Sequence, residues 1–387
     1  MIELLKQYRR DLHRIPEVGY QEFKTHAYIL EILCDYPCEI TEFSPTGICA
    51  FFQAKNPNQP GAVAFRSDMD ALPIEEITDS SYRSTHPGTM HACGHDGHMA
   101  MLLGLAGELA KLEGDIPINV LLIFQPAEES PGGAKAIAAS GIFEKYDVRR
   151  IFAFHMAPSE TPGVIMSRPM EMMARSSELT VTIHGRSAHI ASAHKGIDAL
   201  RIGCLYLDAL YKIERDLLPP EEFRVLRFGK MTGGTARNAI AEKAVLEGSL
   251  RAFREETFRL LSDEILRTAT EYENSYGCKI EIHFTEGYPP AMNDPHLYQQ
   301  AKEVLSPDRF PFSSEFITLR KPSMASDDFS YYLQKVPGLY LFLGTGNKKP
   351  LHSNAFDFDE EVLEVGVKAY LQLLQLPLLT EPQSNCR

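Results

Sequence analysis

Residues 61–68 read GAVAFRSD and residues 118–125 read INVLLIFQ, with the segment MAMLLGLAGELAKL at 99–112 between them. Short apolar runs of this kind are typical of strands that are buried on both faces, and the longer apolar segment predicts a helix. A strand, a helix and a second strand in this order are the repeating unit of a parallel sheet. These three segments therefore predict an α/β fold.

The same alternation extends to both sides of this unit. A helical pattern occurs at EFKTHAYILEILCDY (22–36), another at GGAKAIAASGIF (132–143), and the strand pattern RIFAFH (150–155) follows. We expect an α/β layer sandwich with a largely parallel sheet. Active sites in such sheets lie beyond the carboxyl ends of the strands.

Near residue 172 the pattern changes to alternating strands of the half-exposed, antiparallel kind. The expected elements are a strand at 176–185, a helix at 196–216, strands near 225–231 and 244–253, a helix through the 260s and a strand at 278–284. After Tyr288 the α/β pattern returns, with a helix at 296–305, a strand at 338–344 and a closing helix at 359–374. We predict a discontinuous catalytic domain (1–172 and 288–387) and an inserted domain (173–287).

Composition argues against two kinds of partner. The 387 residues carry a formal net charge of −13, and nucleic-acid recognition depends on clustered Lys and Arg instead. No apolar run approaches the roughly 20 residues that span a bilayer. The charged residues in MIELLKQYRRDLHRIP also argue against a signal peptide. We predict a cytoplasmic protein that binds neither nucleic acid nor membranes.

The cysteines form no regular framework. They lie at positions 34, 38, 49, 93, 204, 278 and 386. Cys34 and Cys38 have helical spacing, but Pro37 interrupts that helix and no second pair is near enough in sequence to complete a zinc site. An odd, dispersed set predicts reduced thiols.

The stretch HACGHDGH at 91–98 contains three histidines, a cysteine and an aspartate. If it is extended, Cys93 and His95 share a face; if it is helical, His91, His95 and His98 share one. Both arrangements allow metal binding. The stretch also fits a glycine-rich loop leading into the next helix, with Asp96 near the helix N-terminus. Alone, it leaves both interpretations open.

Polar side chains at other predicted strand ends favour the metal site. Glu128 and Glu129 follow LLIFQPA, His155 follows IFAF, and His352 lies in a late loop. Two divalent ions roughly 3.5–4 Å apart need about five protein ligands. We predict that five side chains supply them: Cys93, His95, Glu129, His155 and His352. Thiolate and imidazole ligands favour zinc, cobalt, nickel or manganese over magnesium or calcium.

The remaining acids receive catalytic roles. Glu128 and Glu129 are neighbours that point in different directions on an extended segment, so we assign Glu129 to the metal and Glu128 to general-base catalysis. Asp68 and Asp70 follow a predicted strand and alternate in direction, so we expect only one of them to face the metals. Asp70 would orient a ligand imidazole, whereas Asp68 would cap the following turn. Both remain catalytic candidates.

Six segments, taken in order, carry a family resemblance. They are RRDLHRIPEVGYQEFKT, RSDMDALPI, MHACGHDGHMA, QPAEESPGGA, GGTARNAIAEKAVLEGSLR and LHS. Together they resemble the M20 metallopeptidase family in its amidohydrolase branch, which includes aminoacylases, hippurate hydrolases and N-acetyldiaminopimelate deacetylases. The N-terminal segment and TMHACGHDGHMA are most similar to the last of these, which act in bacterial lysine synthesis. The resemblance spans almost the whole chain.

This resemblance implies a zinc-exopeptidase-like α/β/α catalytic domain with an inserted ferredoxin-like lid that mediates homodimerisation. It also implies a dinuclear site in which Cys93 replaces a bridging aspartate and Glu128 accepts the proton. The implied activity is removal of an acetyl group from a small-molecule substrate, N-acetyl-LL-diaminopimelate. Two alternatives for the substrate are another N-acyl amino acid and a dipeptide. A third alternative is that the chain is a non-catalytic metal-binding dimerisation protein.

The resemblance places substrate-binding residues in the inserted domain. His189, from the same or from the other protomer, would stabilise an oxyanion, and Asn238 with Arg251 would hold a substrate carboxylate. Because GGTARNAI leads by a short turn into AVLEGSLR, we expect Asn238 and Arg251 to lie on adjoining strand ends and converge on one anion.

The chain departs from the family pattern in two places. It has Ser187-Ala188-His189-Ile190-Ala191 where Gly-Gly-His-Ala-Ala is usual, and Ser326-Asp327-Asp328-Phe329 where Gly-Glu-Asp-Phe is usual. Both lie near the substrate in the family. Asp327 is one methylene shorter than Glu, which is expected to alter the substrate pocket and leave the metals unchanged.

Overall fold

The computed structural model describes residues 1–56, 58–112, 115–347 and 349–377. These residues form two units. The first contains Met1–Met170, Met292–Lys321 and the residues from Asp327 onward, and the second contains Glu171–Ala291 and Pro322–Ser326. The sequence-based boundaries had assigned Pro322–Ser326 to the catalytic domain.

Fourteen strands are formed by the described residues. They are β1 (Glu39–Phe43), β2 (Gly47–Phe52), β3 (Ala62–Asp68), β4 (Asn119–Gln125), β5 (Val148–Ala157), β6 (Ile165–Ser167), β7 (Met170–Met173), β8 (Arg175–His184), β9 (Arg224–Gly233), β10 (Lys243–Ala252), β11 (Lys279–Phe284), β12 (Ala291–Asn293), β13 (Phe316–Thr318) and β14 (Gly338–Gly344).

Ten α-helices and a short 3₁₀ helix at Ile190–Lys195 complete the described elements. The α-helices are α1 (Ile2–His13), α2 (Phe23–Cys34), α3 (His95–Ala110), α4 (Ala134–Ala139), α5 (Ile142–Lys145), α6 (Ala199–Asp216), α7 (Glu255–Tyr276), α8 (Pro295–Val304), α9 (Ser330–Leu333) and α10 (Val362–Leu374).

The first unit is built on an eight-stranded sheet in the order β1-β2-β4-β3-β5-β14-β6-β13. The central strands β4, β3, β5 and β14 are parallel, which confirms the predicted α/β architecture. The β1–β2 hairpin, which pairs antiparallel with β4, was not predicted. The carboxyl ends of β3, β4, β5 and β14 consequently meet at one edge of the sheet.

Helix α3 lies in the core of the first unit and packs against α1 and α10. Its sequence is apolar on every side, which is the pattern of a fully buried helix, and Leu102, Leu103 and Leu105 are completely buried. It begins at His95, four residues before the predicted start. The end of the HACGHDGH stretch is therefore helical, and His95 lies at the helix N-terminus.

The second unit is a four-stranded antiparallel sheet in the order β11-β8-β10-β9, with helices α6 and α7. Apolar and polar residues alternate along β8, and Leu179, Val181 and Ile183 are buried. The chain order β8-α6-β9-β10-α7-β11 is the βαββαβ arrangement of ferredoxin-like domains, as the resemblance implied.

Two further observations concern the described residues. None of their helices combines the length and the apolarity needed to cross a membrane. Six cysteines fall within the described ranges and all six are free thiols, as predicted. Cys386 lies outside the described residues.

Candidate metal centre

The structure brings the five predicted metal ligands together at the carboxyl edge of the main sheet. Their donor atoms form overlapping groups within 4.8 Å of one another. One group contains Cys93, His95 and His155, and another contains Cys93, Glu129 and His352. Cys93 Sγ lies 3.5 Å from His155 Nε2, and His352 Nε2 lies 3.2 Å from Glu129 Oε1. Cys93 is common to both groups.

Gly94 allows Cys93 and His95 to face the same cluster. Its φ of 87° lies in the left-handed region that glycine adopts readily. This turn follows Cys93 directly and precedes the first residue of α3. Ala92 and Cys93 form a turn and the helix begins at His95, so the helical interpretation of this stretch holds from His95 onward.

The two buried imidazoles are oriented as metal ligands are. His95 Nδ1 donates to the backbone carbonyl of Asp70 at 2.9 Å, and His155 Nδ1 donates to that of Met156 at 2.9 Å. Nε2 is then the nitrogen of each ring that is left to bind a metal. His95 Nε2 is buried and has no hydrogen-bond partner among the described residues. Such fixing of the ring by the opposite nitrogen is a usual feature of metal-bound histidine, so the residues present fit a divalent metal.

The electrostatics of the cluster also favour a cation. Burial raises the pKa of Cys93 well above its usual value, and the nearby Glu129 and Glu128 carboxylates raise it further. Burial alone would lower the pKa of His95, but the Asp68 and Asp70 carboxylates outweigh it and raise that pKa to about 10. Without a metal the thiol and this imidazole therefore keep their protons, and a bound cation would favour their release.

Asp68 and Asp70 both face His95, contrary to the expectation that only one would face the cluster. Asp68 Oδ2 lies 3.7 Å from His95 Nε2, and Asp70 Oδ1 lies 3.4 Å from His95 Nδ1. The alternation rule failed because β3 ends at Asp68, so Asp70 already lies in the following turn. Asp68 does not cap that turn. Its carboxylate accepts hydrogen bonds from Arg66 Nη1 at 2.7 Å and from His98 Nδ1 at 2.6 Å.

Asp70 holds the segment that carries the two glutamates. Its Oδ1 accepts the backbone N–H of Glu128 at 3.0 Å, and its Oδ2 accepts that of Glu129 at 2.9 Å. Together with the bond from His95 to its carbonyl, Asp70 links three candidate site residues. This fixes the relative positions of the predicted base and two predicted ligands.

A buried ionic network, which was not predicted from the sequence, lies beside Glu128. Arg66 donates to Asp68 and Asp328 and lies 3.3 Å from Asp327. Glu128, Asp327 and Asp328 place carboxylate oxygens within 4.8 Å of one another. Burial raises the pKa of Glu128 well above its usual value, and Asp327 and Asp328 raise it further. A carboxylate with a raised pKa is a stronger base.

The other two histidines of HACGHDGH, His91 and His98, are not among the five predicted metal ligands. His98 Nε2 accepts the backbone N–H of Met156 at 3.0 Å, so the proton lies on Nδ1, which donates to Asp68. His91 is buried, and neither ring nitrogen has a hydrogen-bond partner among the described residues. Burial lowers the pKa of His91 to about 3. Helical spacing alone did not distinguish His95, a candidate ligand, from His91 and His98.

The predicted substrate-binding residues lie at two distant places in the second unit. His189 and Asn238 are neighbours, because the backbone carbonyl of Asn238 accepts the Ile190 N–H at 3.0 Å. Arg251 lies near the far end of β10, which begins at Lys243. At about 3.3 Å per residue, the eight residues from Lys243 to Arg251 span roughly 26 Å. The prediction that Asn238 and Arg251 converge on one anion is therefore wrong for a single chain.

His189 and Arg251 also differ in their local contacts. His189 is exposed, and its Nδ1 accepts the Ala191 N–H at 3.2 Å, so Nε2 carries the proton and is available as a donor. Arg251 Nη1 donates to the backbone carbonyl of Met324 at 2.6 Å.

Asp327, where the chain departs from the family pattern, is a buried residue. Its carboxylate accepts hydrogen bonds from Tyr340 Oη at 2.6 Å and from the Phe329 N–H at 2.8 Å.

Comparison with known proteins adds independent findings. The pattern of the peptidase family described as M20/M25/M40 matches residues 64–376. The N-acetyldiaminopimelate deacetylase of Oceanobacillus iheyensis is 36% identical over 380 residues, which cover 97% of this chain and 99% of that protein. The protein of the same name from Listeria monocytogenes serotype 4a is 33% identical over 95% of this chain and 97% of its own length.

Two solved structures are similar over nearly the full length. A putative aminohydrolase from methicillin-resistant Staphylococcus aureus has a TM-score of 0.88 at 29% identity, covering 96% of each chain. The YXEP protein of Bacillus subtilis, described as a dinuclear metal-binding peptidase, has a TM-score of 0.83 at 29% identity, covering 96% of this chain and 97% of the other.

Proposed function

The chain belongs to the peptidase family M20/M25/M40, as its six motifs predicted, and from this premise we propose that it removes the acetyl group from N-acetyl-LL-diaminopimelate, a step in lysine synthesis. Members of its branch are metal-dependent amidohydrolases that use two divalent ions. Near-full-length similarity to proteins named N-acetyldiaminopimelate deacetylase supports this substrate. The buried donor set of Cys93, His95 and His155 supports the chemistry.

We assign the metals to Cys93, His95, Glu129, His155 and His352. Cys93 belongs to both donor groups, so its thiolate is the side chain suited to bridge two ions. When bound, divalent ions in such a site polarise the amide carbonyl and lower the pKa of water.

Glu128 is assigned as the proton acceptor. It takes one proton from the attacking water and later delivers it to the amine nitrogen as the carbon–nitrogen bond breaks, so that acetate and a free amino group result. Its burial beside Asp327 and Asp328 supports this role, because the raised pKa increases its proton affinity. Asp70 assists by holding the Glu128 backbone in place.

We further propose that His189, Asn238 and Arg251 contact the substrate and that two copies of the chain contribute them. His189 and Asn238 lie at one place in the second unit, and Arg251 lies roughly 26 Å along β10 from the residue where that strand begins. One small substrate cannot reach both places in one copy. A homodimer joined through the inserted domain would resolve this by supplying His189 and Asn238 from the partner.

The substrate assignment is tested by a panel assay with metal-reconstituted protein. The panel contains N-acetyl-LL-diaminopimelate, an aliphatic N-acetyl amino acid, hippurate and a dipeptide, and release of free amine is measured with Glu128→Ala as the blank. We expect the diaminopimelate derivative to give the highest kcat/KM. A clear preference for hippurate or the aliphatic compound would reassign the protein to the aminoacylases, and preference for the dipeptide would make it a peptidase.

The shared site is tested by mixing variants. His189→Ala and Arg251→Ala should each be nearly inactive alone. After mixing under conditions that exchange subunits, a fraction of activity should return, because half of the sites in a mixed dimer contain neither substitution. Activity that stays absent although mixed dimers form would refute the two-copy arrangement.

A further inference from the structure

One conspicuous sequence motif has no part in the chemistry described so far. It is the segment PEVGYQE at 16–22, whose last residue, Glu22, is completely buried. Glu22 Oε1 accepts the backbone N–H of Ala127 at 2.8 Å, and Glu22 Oε2 accepts from Thr46 Oγ1 at 2.7 Å. A buried carboxylate thus contacts the residue that directly precedes the predicted base.

The segment touches the same loop at a second point. Tyr20 Oη donates to the backbone carbonyl of Gly132 at 3.0 Å. Gly19 lies so close to the carbonyl of Ser130 that an added Cβ would approach that oxygen to 2.2 Å. The loop 126–134, which carries both glutamates, is therefore in contact with this segment from Ala127 to Gly132.

Ala127 is the position where such support matters most. Its φ is 56°, in the left-handed region that non-glycine residues rarely adopt. A conformation of this kind is strained and persists when surrounding contacts determine it. The Glu22 bond is one of those contacts, and the direction in which Glu128 leaves the backbone depends on the preceding residue.

We propose that Glu22 is a positioning residue, which holds Ala127 in its left-handed conformation and so places the Glu128 carboxylate for proton transfer. Asp70 fixes the backbone N–H groups of Glu128 and Glu129 alike, whereas Glu22 fixes the N–H of Ala127, which is bonded directly to Glu128 and is one residue further from Glu129. Glu22 acts as a hydrogen-bond acceptor at a fixed distance, and its charge is not required. Burial raises the pKa of Glu22, which agrees with tolerance of an uncharged side chain.

Two substitutions separate length from charge. Glu22→Gln keeps an acceptor oxygen at Ala127, and the Thr46 hydroxyl can rotate to accept from the new amide. Glu22→Asp keeps the charge but withdraws the acceptor by about 1.5 Å, one carbon–carbon bond. Thr46→Val is the matched control, since it removes the other bond of Glu22 and leaves the bond to Ala127.

The proposal is tested by kinetics, which rest on the proposed deacetylase function, and by hydrogen–deuterium exchange, which does not. Glu22→Asp should lower kcat by about ten- to a hundredfold with little change in KM or metal content, because small misplacements of a catalytic group have effects of this size. Glu22→Gln should stay within about threefold of the unmodified protein, since its hydrogen bond is kept. Thr46→Val should keep kcat even if it lowers the unfolding midpoint.

Exchange in the peptide covering residues 126–134 gives a readout that needs no substrate. It should be about tenfold faster in Glu22→Asp, because loss of the acceptor eases local opening, and unchanged in Glu22→Gln and Thr46→Val. Unchanged loop exchange in Glu22→Asp, or equal effects in Glu22→Asp and Thr46→Val, would overturn the proposal. If the unmodified protein does not hydrolyse the substrate, only the proposed function fails, and the exchange experiment still decides the role of Glu22.

Discussion

Replacing Arg9 with Met should destabilise the first unit strongly, because Arg9 is the buried centre of an ionic cluster. Its side chain is fully buried and pairs with Asp96 at 3.0 Å, Asp357 at 2.5 Å and Glu360 at 3.1 Å. The guanidinium carbon also lies 4.0 Å from the centre of the Phe358 ring. Met fills similar space but leaves these carboxylates without their shared partner.

The neighbouring Arg10 provides a matched control. Its side chain is 42% exposed, and it pairs with Glu360, which also contacts Arg9. Removing one partner of a buried ion pair costs about 3–5 kcal/mol. Arg10 is partly exposed and its loss leaves Glu360 in contact with Arg9, so the expected cost is nearer the roughly 0–1 kcal/mol of a solvent-exposed pair. We therefore expect Arg9→Met to lower the unfolding free energy by roughly 3 kcal/mol more than Arg10→Met does. Arg9→Lys should fall between them, because one ammonium cannot reproduce the guanidinium fork.

The measurement is urea unfolding of the metal-free protein, followed by far-UV circular dichroism and tyrosine fluorescence, since the chain contains no tryptophan. A lower midpoint at an unchanged slope reports a loss of stability. If Arg9→Met and Arg10→Met shift the midpoint by the same amount, the fully buried arginine has no greater effect on stability than the partly exposed one, and the reasoning from burial is wrong.

Three other predictions concern the site and its surroundings. Glu128→Ala should keep its metal but lose about a hundredfold or more in kcat, whereas Glu129→Ala should lose metal; equal metal loss in both would reverse the assignment. Thiol reagents should inactivate the metal-free protein faster than the metal-loaded one, because a bound Cys93 thiolate is less available; equal rates would remove Cys93 from the site. Burial alone lowers the pKa of His13, but Asp96 outweighs it and raises that pKa to about 9. The stabilisation from this raised pKa is complete below about pH 6.5 and is lost as the pH rises through about 9. The unfolding free energy of His13→Gln should therefore fall less between pH 6 and 10 than that of the unmodified protein, and parallel pH curves would contradict this.

Sequence patterns were sufficient to predict the central strands and to bring the five candidate ligands to one edge of the sheet. The strands β3 and β4 are short apolar runs that end in polar residues, and β5 carries His155 near its end. A parallel sheet brings these strand ends to one edge. The β1–β2 hairpin lacked such a signal, since β1 is only half-buried and ends in a short turn. Local periodicity therefore predicted the central parallel strands and missed both strands of this hairpin, although β2 is largely buried.

Contacts between distant residues could not be predicted in this way. Arg66 pairs with Asp328, which lies 262 positions later in the sequence. The one local signal was a charged residue inside an apolar strand, which requires a buried partner but does not identify it. The separation of Asn238 from Arg251 was missed for a related reason, because a short turn between segments says nothing about the ten-residue length of the strand that follows.

Residue type alone also predicts too many metal ligands, because it counts every carboxylate near the site. The hydrogen bonds distinguish the candidate ligand from the other carboxylates. Asp68 accepts hydrogen bonds from Arg66 and His98, and both oxygens of Asp70 accept backbone N–H groups. Both carboxylates are therefore already occupied by hydrogen-bond donors. Asp328 accepts from Arg66, a glutamine amide and two backbone N–H groups. Glu129 instead contacts His352, itself a potential ligand that can turn its lone pair to a metal. We therefore expect Glu129 to bind the ions, because its neighbour is another candidate ligand, and we expect the carboxylates surrounded by fixed N–H donors to position the other side chains.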